Sequence, residues 1–120
     1  MTRPSQQSEG CLELASHLLE QITHRDESAE AVDEVMRALA AQRRRLLLEV
    51  LLTHDQELTL PDAAEEVAQR EANRSITELS AERIANVYIS LYHDHLPRLV
   101  DAGLLEYDQE HDLVATSTGV

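Results

Sequence analysis

Residues 80–116 read SAERIANVYISLYHDHLPRLVDAGLLEYDQEHDLVAT, which predicts one long helix, a glycine stop and a two-stranded hairpin. Ser80 offers an N-cap oxygen, and Glu82 suits the positive end of the helix dipole. Ile84, Val87, Tyr88 and Leu91 recur at helical spacing. A second apolar stripe runs through Ile89, Tyr92, Leu96, Leu99 and Val100. Gly103 stands where a left-handed residue ends the helix, a conformation that a Cβ opposes. Leu104, Leu105 and Tyr107 favour a strand, residues 108–112 are turn material, and Leu113, Val114 and Thr116 supply the return strand. Pro97 removes one helical bond, so it predicts either a kink or a restart of the helix.

Upstream, residues 1–8 are polar, and residues 9–24 have an amphipathic helical pattern. Cys11, Leu12, Ala15, Leu18, Leu19 and Ile22 share one face there, suited to packing on the chain's own core or on a second copy. Residues 1–27 are therefore set apart as a tail and helix, with residues 28–120 as the main domain. Ser28 caps the next helix, whose apolar face is Ala31, Val32, Val35, Met36 and Leu39. Arg43, Arg44 and Arg45 follow, then LLLEVLL, in which Leu47, Val50 and Leu51 face inward beside Leu46 or Leu48. Periodicity leaves open whether residues 29–54 are one helix or two with a bend near Ala41. Thr59, Leu60, Pro61 and Asp62 make a capping pattern with proline in the first turn of an alanine-rich helix reaching about Ala72.

The chain of 120 residues suits one domain. It carries 23 acidic residues against ten basic ones, a net charge of −13, and every basic residue is arginine. Phe and Trp are absent, yet the apolar stripes are those of a folded protein rather than an acidic tail. In about 1 M salt the Debye length is only about 3 Å, so surface carboxylates barely repel one another. The composition thus points to a cytosol of high ionic strength, that of a halophile. No signal peptide or spanning segment is visible, which predicts a cytoplasmic protein without a membrane partner. The lone Cys11 excludes an internal disulfide and a thiolate metal centre.

A short capped helix, a turn, a longer helix and a hairpin, in that order, are the parts of a winged helix-turn-helix. The expected fold is mainly α with a small β-hairpin wing and an extra N-terminal helix. The segment HLPRLVDAGLLEYD, residues 95–108, resembles the end of the recognition helix and the wing of ArsR-like winged-helix regulators. VYISLYHDHLPRLVDAGLLEYD (87–108), with RRRLLLEVLL (43–52), resembles a haloarchaeal winged-helix domain family of unassigned function. The resemblance covers about residues 31–116 and implies the fold, with double-stranded DNA as the expected partner.

Arginine forks match phosphate oxygens, so Arg43, Arg44 and Arg45 are candidate phosphate contacts; local pairing with Asp33, Glu34 or Glu49 is the plainer role. Arg83, Asn86, Ser90, His93 and Arg98 are the polar residues of the long helix and candidates for contacts to bases or phosphates. Asp94 and the acidic hairpin residues Glu106, Asp108, Glu110 and Asp112 oppose a polyanion. Leu12, Leu18, Leu19, Ile22 and Ile89 are candidate homodimer contacts. His93 and His95 point about 200° apart on a helix and cannot chelate one ion together. No motif for catalysis, a metal or a cofactor is present, so no enzyme is expected. The leading reading is a small DNA-binding transcriptional regulator from a high-salt cytosol; the alternative is a protein-interaction or dimerisation module on the same scaffold without DNA binding, since fold alone does not fix function.

Overall fold

The computed structural model describes residues 29–117. Four helical rods and a small antiparallel sheet form the domain, in the order α1 (Ala29–Ala38), α2 (Gln42–His54), β1 (Leu58–Thr59), α3 (Leu60–Ala72), α4 (Ala81–Ser90), α5 (Leu96–Asp101), β2 (Leu105–Asp108), β3 (Leu113–Thr116). A π turn, Leu91–His95, joins α4 and α5 into one rod. A single 3-10 turn, Ile76–Glu78, lies between α3 and α4. Strand β3 sits between β1 and β2, pairing Leu58 with Val114 and Tyr107 with Val114 on its two edges. Residues 9–24, including Leu12, Leu18, Leu19 and Ile22, lie outside the described residues.

The helix starts follow the capping chemistry expected of them. Thr59 Oγ1 accepts from the Asp62 backbone N–H at 3.2 Å, and Ser80 Oγ accepts from that of Arg83 at 3.0 Å. Asp55 and Asn73 end α2 and α3 in the left-handed conformation, and Gly103, at φ 78°, does so after α5. Residues 29–54 are two helices rather than one. The break falls at residues 39–41, where Ala41 is extended and its side chain caps nothing.

Leucine, valine and alanine fill the core. Leu47, Leu51, Leu60, Leu91, Leu99, Leu105, Val50, Val67, Val87 and Val114 are fully buried, and Ala63, Ala64 and Ala68 let α3 approach its neighbours closely. Residues 46–51 of α2 are all buried, Leu46 and Leu48 both included, so this helix passes through the core with no solvent face in its middle. Glu49 is buried with them, and its carboxylate lies 3.8 Å from Arg70 of α3.

The π turn changes the reading of the long helix. The Leu96 N–H bonds back to the Leu91 carbonyl, five residues earlier. The wider turn comes directly before Pro97, which has no N–H to give and whose ring crowds the preceding carbonyls. It also shifts the helical period, so residues before and after it no longer fall on one 3.6-residue wheel. Val87, Leu91, Leu96 and Leu99 reach the core together, while Ile89 stays 52% exposed and Val100 39%. Ile89, a candidate homodimer contact, therefore lies on the surface of the single chain.

Candidate nucleic-acid interface

Helix α4 follows α3 in the chain, and its outward side carries the polar residues that the sequence singles out. Glu82, Asn86, Ile89 and His93 follow one another at spacings of three and four residues, and all are exposed. Arg83, in the first turn, keeps 45% of its side-chain surface exposed. Ser90 is half-buried. His93 meets the Tyr92 ring edge-on, with centroids 5.0 Å apart. Arg98 is exposed on α5 and donates from Nε to Asp94 Oδ1 at 3.1 Å. Asp94 is thus paired, and the Arg98 hydrogen bond holds its pKa below the usual carboxylate value.

The three consecutive arginines have protein acceptors. Arg43 places a two-pronged fork on Glu71 of α3, Nε to Oε2 at 2.6 Å and Nη2 to Oε1 at 3.0 Å. Arg44 Nη1 donates to the Arg37 carbonyl at 2.8 Å, and Nε donates to His95 Nδ1 at 3.1 Å. Arg45 Nη1 donates to the Leu39 carbonyl at 2.6 Å. Arg44 and Arg45 thus reach back to the open carbonyl end of α1, where a positive charge also suits the helix dipole. The carboxylate partner of Arg43 is Glu71, 28 residues away along the chain.

His95 is buried, and its Nδ1 faces the Arg44 guanidinium. A nitrogen that accepts from Arg44 carries no proton, so the ring is neutral with its hydrogen on Nε2. Burial, joined by the nearby Arg44, Arg43 and Arg98 charges, lowers its pKa against the pull of Asp94.

The hairpin contains the feature least visible in the sequence. Tyr88 of α4 and Tyr107 of β2 both donate their hydroxyls to Asp112, at 3.3 Å to Oδ2 and 2.5 Å to Oδ1. Tyr92 lies between their rings, stacked on Tyr88 with centroids 6.3 Å apart and edge-on to Tyr107 at 6.2 Å. All three tyrosines of the chain are in this cluster. Asp112 is left-handed, at φ 54°, and its carbonyl accepts from the Leu60 N–H at 2.9 Å. One turn residue therefore ties the hairpin to α4 through its side chain and to α3 through its backbone. Burial raises the pKa values of Tyr107 and Tyr88, and the Asp112 charge raises them further. Asp108 is also committed, to the backbone N–H groups of Glu110 and His111 and to the His111 ring at 2.8 Å. Two of the four hairpin carboxylates thus organise the turn itself, while Glu106 and Glu110 are exposed.

Among the described residues, no three His, Cys, Asp or Glu side chains come together as metal ligands, and no helix is long and apolar enough to cross a membrane. The described residues form a small, mainly helical domain with a three-stranded antiparallel sheet. The chain belongs to the family described as Domain of unknown function (DUF7344), whose sequence profile matches residues 36–115, from the last turn of α1 through β3. No curated protein and no solved structure matches the chain.

Proposed function

We propose that this domain is a winged helix-turn-helix DNA-binding transcriptional regulator, not an enzyme, acting as a homodimer in a high-salt cytosol. The observation that carries the reading is the order of elements: β1 feeds α3, a short turn leads to α4, and the β2–β3 hairpin returns beside β1. In that arrangement α4 is the recognition helix and the hairpin is the wing. Arg83 and Asn86 of α4 and His93 of the π turn are exposed polar candidates for contact, and Ile89 between them can meet a thymine methyl. The high-salt setting fits a site with few free cations, because salt weakens phosphate contacts steeply and leaves shape and apolar contact to do more of the binding. Leu12, Leu18, Leu19 and Ile22 are the segment proposed to join two copies.

Anisotropy with a labelled fragment from upstream of the protein's own gene tests the reading. Asn86→Ala is expected to weaken binding to a specific site by about 1–3 kcal/mol, the worth of one bidentate base contact. Arg44→Glu is unsuited as a probe, because Arg44 supports α1 and His95. Absence of binding by the wild type from low to high salt would favour the second reading, a protein-interaction module. The exposed Ile89 and the inward arginine forks support that second reading.

The salt requirement is separately measurable. With a net charge of −13, the melting temperature is expected to rise between about 0.1 M and about 3 M KCl as self-repulsion is screened. A flat melting temperature across that range would remove the high-salt cytosol from the proposal.

A further inference from the structure

Glu71 lies where α2, α3 and α4 meet. Its Oε2 accepts from Arg43 Nε, and its Oε1 accepts from both Arg43 Nη2 and Arg83 Nη2, the latter at 3.2 Å. Two guanidinium groups around one carboxylate leave a local excess of one positive charge in a chain of net charge −13. The Glu71 side chain is only 15% exposed, so its bonds are sheltered from the salt that screens surface pairs. Arg83 is held at both ends, since its own backbone N–H bonds to the Ser80 cap. Its Nε and Nη1 hydrogens meet no protein acceptor among the described residues.

We propose that Glu71 is a positioning residue for nucleic acid: it fixes Arg83 so that the unused edge of that guanidinium meets a phosphodiester oxygen of duplex DNA. The proposal rests on the DNA-binding reading above and adds the contact through which the backbone is held. Arg43 occupies the rest of the carboxylate, which locks its rotamer and keeps Glu71 from turning toward solvent. A carboxylate near a polyanion opposes binding by simple charge. A positioning carboxylate favours it by removing the side-chain freedom that Arg83 would otherwise lose on contact.

The two roles predict opposite signs for Glu71→Gln. The substitution makes the protein one unit less negative, so charge alone would tighten binding. Positioning predicts binding to a labelled mixed-sequence duplex weaker by about tenfold, with a salt slope flatter by about one as the Arg83 contact is lost. Arg83→Gln, at an exposed position, is expected to flatten the slope by the same amount while leaving the melting temperature unchanged. Equal or tighter binding by a folded Glu71→Gln overturns the inference and leaves the DNA-binding reading standing. If Glu71→Gln fails to fold, an unchanged slope in Arg83→Gln overturns it. Failure of the wild type to bind any duplex overturns both.

Discussion

Asp112→Ala is expected to lower the unfolding free energy by about 3 kcal/mol, taking a charged acceptor from two tyrosine hydroxyls and placing a Cβ-bearing residue without turn-forming side chain at positive φ. Tyr88 and Tyr107 are half-buried, and each loses its acceptor in the same substitution. Asp112→Gly separates the two contributions. Glycine adopts φ 54° freely but still lacks the acceptor, so it is expected to recover about 1 kcal/mol of the loss. Asp112→Asn keeps the left-handed preference and an amide oxygen for one hydroxyl, and should cost least. Urea unfolding followed by tyrosine fluorescence is a clean measurement, because the chain has no tryptophan and all three tyrosines sit in this cluster. A loss below about 0.5 kcal/mol for Asp112→Ala would mean that the hairpin is held on α4 by ring packing alone.

The same residue shows where sequence reading stops. Helical periodicity, the Thr59 and Ser80 caps and the Gly103 stop are local signals, and the helices and hairpin follow from them. Asp112 reads as turn material on the same local grounds, and nothing in its neighbourhood says that a tyrosine 24 residues earlier donates to it. Strand β1 is missed because two residues have no period; only the waiting edge of β3 makes Leu58 and Thr59 a strand. The 3-10 turn at Ile76–Glu78 carries a signal that was available, since Ser75 and Glu78 have the spacing of a capping box and the Glu78 side chain does return to the Ser75 N–H. The π turn is less legible. Pro97 marks the place, but a proline offers a kink, a restart or a widened turn with equal ease on paper.

The partners of the arginine run are hidden from a local reading for a different reason. Three adjacent cations on a helix look like a surface patch when their partners are sought within a turn or two. Arg44 and Arg45 instead reach back across the break at residues 39–41 to carbonyls six and seven positions earlier, while Arg43 crosses to α3. Long side chains at the start of one helix can cap the end of the previous one whenever the connection is only three residues long. The two-helix alternative for residues 29–54 therefore had a signature in the arginines themselves, two of which cap the end of α1.

Arg44→Ala is expected to cost about 3 kcal/mol, because it strips the Arg37 carbonyl at the end of α1 and the buried His95 ring nitrogen of their shared donor. Arg44→Lys should recover only part of this, since one ammonium cannot reproduce the planar fork that serves both acceptors. The pH dependence carries the diagnostic sign. The folded protein holds the His95 pKa below its ordinary 6.5, first through burial and then through Arg44, Arg43 and Arg98, with Asp94 opposing them. A depressed folded-state pKa means that the unfolded chain binds the proton more readily. The contribution of His95 is therefore complete above pH 6.5 and is lost as the pH falls from there through the folded-state value. Glu71, Asp94 and Asp108 are held below their ordinary values of 4.5, 3.8 and 3.8, so their losses come at lower pH and do not obscure this window. Melting temperatures of the wild type are expected to be level above about pH 7 and to fall between about pH 6.5 and about pH 5. In Arg44→Ala one of the repelling cations is gone while burial remains, so the fall should be shallower from its lower starting point. A wild type as stable at about pH 5 as at about pH 7 would show that His95 accepts its proton without disturbing the Arg44 bridge, and the coupling between α1, α2 and the π turn would then be absent.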